Sequence, residues 1–249
     1  QVLADLEDDF YRIIFADIDN DETAELVAGN IEKIVIFQKS TEGYSEYQTI
    51  TENVFETSEI LASDLDMDGY VDLIVKGLSR VNDELQRLTL FRNNEGRLNN
   101  GTIIYDEGRV SEFVVIDQDE DGDNDLLLTV FDDYNFTARG DSRKYFTGTV
   151  WIENLGNEAF SLSSLLPFEG GSFIDIDQNG ILDLVKYRNF EWVDFANFEK
   201  GVFIRDFLKE FSFYGAIKNI EPLQTDDQVG IIASFQDYLF VYKDVLEEP

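Results

Sequence analysis

The chain has no cysteine, no histidine, only three prolines and a single methionine in 249 residues. Without cysteine there is neither a disulfide nor a thiol nucleophile, and an extracellular protein would need another staple. Without histidine the commonest general base and the usual zinc ligand are gone. Together the two absences exclude Ser-His-Asp and Cys-His catalysis and most transition-metal chemistry. A sustained 3.6-residue periodicity is also missing, which leaves little room for helix. No apolar run approaches the ~18 residues of a membrane span. No secretory leader is visible, and a chain that opens on Gln1 reads as a mature or trimmed product. Basic residues are scarce as well: 19 Lys and Arg face 52 Asp and Glu, a formal net charge of −33. That balance argues against nucleic acid and against unaided binding to anionic membranes.

What is present is ample for a core. Apolar residues make up 43% of the chain, with 21 Phe and 11 Tyr, so this is no disordered acidic tail. The length suits one large all-β domain or two ordinary ones.

Four aspartate-rich segments recur at intervals of about fifty residues, a repeat length typical of propeller blades. They are Asp17-Ile-Asp19-Asn-Asp21-Glu-Thr-Ala-Glu25, Asp64-Leu-Asp66-Met-Asp68-Gly-Tyr-Val-Asp72, Asp117-Gln-Asp119-Glu-Asp121-Gly-Asp-Asn-Asp125 and Asp175-Ile-Asp177-Gln-Asn179-Gly-Ile-Leu-Asp183. Oxygen-bearing side chains at positions 1, 3, 5 and 9, with glycine at 6, suit a hard cation held in a tight turn. They contain eighteen of the 52 acids. Solvated acidic turns are the plainer alternative, since Asp and Gly favour turns in any case. Helix-flanked EF-hands share the spacing, but here a β-run such as Leu73-Ile-Val follows and no Glu stands at the twelfth position.

Short β-branched and aromatic runs surround each loop. The first unit predicts strands at 13–16, 25–28, 33–38 and 47–51; the second at 58–64, 73–76, 87–92 and 102–105. The third gives 113–116, 125–131, 148–154 and 160–165, and the fourth 172–176, 183–187, 201–206 and 210–213. A degenerate fifth unit (216–220, 229–235, 238–243) has Glu221-Pro222-Leu-Gln-Thr-Asp226-Asp227 in place of the Asp loop and ends one strand short. Residues 1–17 align without a gap on 48–64, so the chain begins with an outer fourth strand. The fold expected is all-β: a five-bladed propeller of four-stranded blades, one domain over 1–249. Its blades fall at 10–51, 57–105, 111–165, 171–213 and 214–245, the last closed by an N-terminal strand at 1–6. A fragment of a larger propeller is the rival.

The Asp-x-Asp-x-Asp-Gly-x-x-Asp-Leu pattern resembles the FG-GAP/VCBS repeats, the calcium-bearing blades of integrin α-subunit propellers and many secreted bacterial proteins. The resemblance covers residues 10–190 through the loops and is closer to the VCBS-like branch, because no Phe-Gly precedes them. It implies a loop joining the first and second strands of each blade, and three to four Ca2+ ions with a mainly structural role. The ligands it implies are Asp17, Asp19, Asp21 and Glu25; Asp64, Asp66, Asp68 and Asp72; Asp117, Asp119, Asp121 and Asp125; Asp175, Asp177, Asn179 and Asp183. A backbone carbonyl would join each set, from Thr23, Tyr70, Asp123 and Ile181. The third loop has the most acids; the first departs most, with Glu22 for the turn glycine and Glu25 for the last Asp; the fourth has one carboxylate fewer.

On the face opposite the cations the sequence places two long aromatic loops, 132–146 and 188–200. Tyr134, Phe136, Arg139, Tyr145, Phe190, Trp192 and Phe195 are the ligand-binding candidates there, suited to sugar or a protein surface. The plainer reading is a satellite core that plugs the channel. Arg139-Gly-Asp141-Ser spells an integrin-recognised tripeptide, and Asn100 and Asn135 open glycosylation sequons. The function expected is a secreted or cell-surface binding or adhesion module for glycan or protein, monomeric, without nucleic-acid partner or membrane insertion. A polysaccharide lyase or hydrolase using carboxylates such as Asp132, Asp133, Glu191 and Asp194 is the alternative, and a structural spacer the third.

Overall fold

Strands begin where the Asp loops end, because each loop hands the chain to an apolar, β-branched run. The computed structural model describes residues 9–41, 43–78, 86–131, 148–156, 159–167, 171–175, 179–188, 192–199, 202–212, 217–225, 228–235 and 238–243. Among them every regular element is a strand, every registered pairing is antiparallel, and no helix is long and apolar enough to cross a membrane. The chain divides into two compact units, 1–110 and 111–249.

In the first unit β1 (Arg12–Ala16), β2 (Glu25–Gly29), β3 (Ile34–Ser40) and β4 (Gly43–Ile50) form a meander in chain order. A second meander comprises β5 (Glu56–Ser63), β6 (Asp72–Leu78) and β7 (Gln86–Phe91). A two-residue ribbon, β8 (Asn93–Asn94) with β9 (Arg97–Leu98), precedes β10 (Thr102–Ile116). The inner strands β2 and β6 are buried on both faces, which is why Leu26-Val-Ala and Leu73-Ile-Val read as unbroken apolar runs. Between the two sheets Ala16, Ile18, Val27, Ile34, Ile36, Ile60, Leu73, Val75 and Phe91 share one core. Around β1 the pattern reverses: Tyr11, Ile13 and Phe15 alternate along an exposed apolar face.

Two strands expected at 102–105 and 113–116 are one. β10 pairs with β7 between Thr102 and Gly108, and its other neighbour is β11 (Asp125–Phe131). The polar stretch Asp106-Glu-Gly-Arg109 suggests a break, but extended backbone tolerates it, and register shifts at Ile103/Tyr105 and Tyr105/Gly108 absorb the bend.

In the second unit β11, β12 (Gly148–Asn154) and β13 (Phe160–Pro167) follow the prediction closely. Leu127, Trp151 and Phe173 are the buried centre between this sheet and the next, with Val114, Ile116, Ile181 and Leu182 packed against them. The next sheet holds β14 (Gly171–Ile174), β15 (Asp183–Arg188), β16 (Trp192–Glu199) and β17 (Val202–Ser212). Here the sequence reading is corrected. Residues 192–199, expected inside a long loop, are the third strand, and 202–212 the fourth. In Trp192-Val-Asp-Phe-Ala-Asn-Phe the aromatics recur every third residue with Asp and Asn between them, so the segment lacks the period-two alternation that marks a strand. The last sheet has β18 (Ile217–Thr225), β19 (Gln228–Phe235) and β20 (Tyr238–Lys243), three strands as expected. Glu221–Thr225 extends β18 rather than forming a loop, with Pro222 on a strand that has only one neighbour in its sheet. The N-terminal strand expected at 1–6 lies outside the described residues.

Gly101 shows how closely the second sheet is packed. It sits at φ 76°, and a Cβ there would lie 2.5 Å from Phe91 Cε1 and 2.8 Å from Thr89 Cγ2. Gly101→Ala therefore adds backbone strain to overpacking against a buried ring, and we expect a loss of about 2–4 kcal/mol. Urea denaturation of the variant checks this; a loss below about 1 kcal/mol would show that the sheet yields there.

Candidate metal centres

All four Asp segments fold on one hydrogen-bond frame. The first aspartate accepts from two amides ahead of it: Asp17 from Asp21 and Glu22 at 3.1 and 2.9 Å, and Asp64 from Asp68 and Gly69 at 3.1 and 2.9 Å. Asp117 accepts from Asp121 and Gly122, and Asp175 from Asn179 and Gly180, in the same way. The position-5 side chain accepts from the amide at position 7 in every case: Asp21 from Thr23, Asp68 from Tyr70, Asp121 from Asp123 and Asn179 from Ile181. Position 6 needs a left-handed backbone to aim these amides inward, and Gly69, Gly122 and Gly180 supply φ of 93°, 100° and 91°. In the first loop Glu22 adopts φ 70°, so the turn forms without glycine.

The frame folds the carboxylates onto one another. Oxygens of Asp17, Asp19 and Glu25 gather within 4.8 Å, as do those of Asp64, Asp66 and Asp68, and those of Asp117, Asp119 and Asp121. Asp177 lies outside the described residues, so the fourth loop is represented by Asp175, Asn179 and Asp183.

Position 9 behaves differently from the rest. Glu25, Asp72, Asp125 and Asp183 are the first residues of β2, β6, β11 and β15 and are at most 1% exposed. The position-2 amide donates to this carboxylate: Ile18 to Glu25 at 2.8 Å, Leu65 to Asp72 and Gln118 to Asp125 at 3.2 Å. An asparagine amide two residues beyond the third-strand partner of Leu73 or Leu126 donates to the carboxylate's second oxygen, Asn93 to Asp72 and Asn154 to Asp125, both at 2.8 Å. The acid at position 9 thus fastens the loop to the sheet. In the first loop the longer Glu25 also reaches the carboxylate cluster.

The donor set fits a hard divalent cation. Each loop offers only oxygen ligands, the choice of Ca2+ or Mg2+ rather than a softer metal. The first loop gives the most direct sign: Asp19 Oδ1 and Glu25 Oε1 are buried with no hydrogen-bond partner. Two buried carboxylate oxygens without a donor are costly unless a cation meets them. Burial, with the charges of Asp19 and Asp21, raises the Glu25 pKa against the pull of the Ile18 amide. Asp119 is raised by burial and by Asp121 and Asp117, and Asp125 is pushed up to about 6, chiefly by burial. Asp72 is raised by burial too, which outweighs the Asn93 amide and the Arg92 guanidinium.

A raised carboxyl pKa means that the folded, cation-free protein takes up protons the unfolded chain does not. For Asp125 that window runs from the ordinary 3.8 to about 6, so stability falls as pH rises through it. With chelator present, the melting temperature is expected to climb as pH drops from about 7 to 5; saturating Ca2+, which competes with the protons, should flatten or reverse the trend. Scanning calorimetry at both pH values reads it directly.

Among the aromatic candidates for a ligand face, Tyr134, Phe136, Arg139, Tyr145 and Phe190 lie outside the described residues. Trp192 and Phe195 belong to β16, opposite Arg188 and Val185 of β15. Sequence reasoning missed four buried or half-buried partners of the loops. Arg92 holds Asp72 at 2.9 Å and Asp66 at 3.2 Å. Gln38 donates to Asp19 at 2.7 Å. Asn93 donates to the carbonyls of Ile18 and Val71, joining the first loop to the second. Gln118 exchanges hydrogen bonds with the backbone of Leu182, joining the third to the fourth. A usable signal existed for Asn93: asparagine shortly before glycine follows the third strand twice, in Asn93-Asn-Glu-Gly96 and Asn154-Leu-Gly156.

No protein-family profile and no curated protein matches the chain. Among solved structures, one describing specific recognition of non-reducing terminal N-acetylglucosamine by an Agrocybe aegerita lectin superposes with a TM-score of 0.63 at 15% identity. The match covers 94% of this chain and 62% of the lectin chain, so the chain spans less than two thirds of that protein's length. A Photorhabdus luminescens Tc holotoxin pore matches at a TM-score of 0.39 and 13% identity, over 94% of this chain and 14% of that one. That second likeness is too weak to define a shared fold.

Proposed function

We propose that the chain is a secreted or cell-surface, calcium-stabilised β-propeller of FG-GAP/VCBS type, with five blades, that binds glycan on the face away from its cation loops. The observation that carries the calcium half is the pair of partnerless buried oxygens on Asp19 and Glu25, within a loop frame repeated four times. All-oxygen sites of this kind suit the high calcium outside cells, and a cysteine-free protein there gains from an ionic staple. The glycan half is supported by the overall fold shared with a lectin that recognises terminal N-acetylglucosamine. Tyr134, Phe136, Arg139, Tyr145, Phe190, Trp192 and Phe195 are the proposed sugar contacts, since flat rings stack on the apolar faces of sugars.

A glycan array probed with the calcium-loaded protein tests this. Binding to terminal N-acetylglucosamine or a related sugar without turnover is expected, with a loss of about tenfold or more in Trp192→Ala. Binding to no glycan would remove the lectin reading, and cleavage of a bound glycan would replace it with an enzyme.

A further inference from the structure

We propose that the residue just past the core end of each third strand sets how strongly the neighbouring loop holds its cation. Arg92 is then a built-in counter-cation that makes the second loop a weaker calcium site than the first and third. This rests on the calcium reading of the loops.

Register identifies the equivalent positions. Leu26, Leu73 and Leu126 of the second strands pair with Phe37, Phe91 and Ile152 of the third. The next residues are Gln38, Arg92 and Glu153. Two of them touch the same element of their loops: Gln38 Nε2 meets Asp19 Oδ2 at 2.7 Å, and Arg92 Nη1 meets Asp66 Oδ2 at 3.2 Å. Asp19 and Asp66 are both third-position carboxylates, members of the clusters that would face an ion. The first two loops therefore receive different charges at one place, a neutral amide and a guanidinium, and the equivalent position beside the third is an acid, Glu153.

Arg92 is not free to swing aside. Its side chain is 7% exposed and also bonds Asp72, whose side chain is 1% exposed, at 2.9 Å. Breaking a buried pair of this kind is strongly unfavourable, so an arriving cation meets the guanidinium in place. Two like charges a few ångströms apart repel even at the effective dielectric of a protein surface. Match to the loop pattern alone ranks the second loop above the first, since it keeps both the turn glycine and the terminal Asp; the guanidinium reverses that order. It also supplies what an ion supplies elsewhere, so the second sheet should hold its shape when calcium is low.

The test is a calcium titration of the full chain, followed by calorimetry and chelator competition, on wild type, Arg92→Gln and the reciprocal Gln38→Arg. Wild type should show a step weaker than those that Asp17→Ala and Asp117→Ala remove, and Asp64→Ala should remove it. Arg92→Gln should tighten that step by on the order of tenfold to a hundredfold, and Gln38→Arg should weaken a different step by a similar factor. Unchanged affinities in folded variants that still bind calcium would overturn the proposal while leaving the calcium reading intact. No binding by wild type would overturn both. Should Arg92→Gln fail to fold, Gln38→Arg decides alone: an unchanged isotherm overturns the proposal.

Discussion

Stripping calcium from the protein is expected to lower its melting temperature by about 15–30 °C. A ligand bound only by the folded state stabilises it by ~2.7 kcal/mol at a hundredfold excess over its dissociation constant. Three such loops sum to about 8 kcal/mol, and a chain of this size moves ~2–4 °C per kcal/mol. The effect is large because removal does more than cancel a binding energy. It leaves the oxygens of Asp17, Asp19 and Glu25, and those of Asp117, Asp119 and Asp121, within 4.8 Å of one another without the ion's charge, while in the second loop Arg92 still meets Asp66. Asp19 and Glu25 each keep a buried oxygen without a donor. Scanning calorimetry with and without chelator measures the shift, and an unchanged melt would mean that the loops are solvated turns.

Asp72→Ala is expected to cost about 3–5 kcal/mol even without calcium. Asp72 accepts from the amides of Leu65 and Asn93 and from Arg92. Truncation orphans two buried amides and takes from Arg92 its buried carboxylate partner at 2.9 Å. Asp72→Asn retains one acceptor and should cost less, about 1–3 kcal/mol. Asp68→Ala is the contrast. That side chain is exposed and accepts one amide, so its loss should cost under about 1 kcal/mol in chelator yet abolish the ion at the second loop. Urea titrations of the three variants, each with and without calcium, separate the fastening role of position 9 from the ion-holding role of position 5.

That separation marks how far the sequence could be read. The four loops, their tight turns and the strands that follow them were legible, because Asp and Gly at fixed spacing have few other uses. Strand starts at Glu25, Asp125 and Asp183 followed from the loops themselves, and the start at Asp72 came one residue before the 73 expected. The dual character of position 9 was not legible: spacing gives every acid the same weight, and only burial shows that one in each loop also faces the sheet. Arg92 was hidden for a related reason. A lone arginine after an apolar strand reads as solvated, and its partners lie twenty and twenty-six residues back in the chain. The aromatic stretch in β16 was not legible as a strand because Trp192, Phe195 and Phe198 are three residues apart, with Asp194 and Asn197 between them, which breaks the period of two. The long β10 was divided in two because a polar interruption is weak evidence against extended backbone.

Calcium stoichiometry is the most direct test of the central claim, that the Asp loops are cation sites. Equilibrium dialysis of the full chain at about millimolar Ca2+ should find three or four ions per chain, with Asp17→Ala and Asp117→Ala each removing one. No bound calcium, or a count that neither variant changes, would contradict the account.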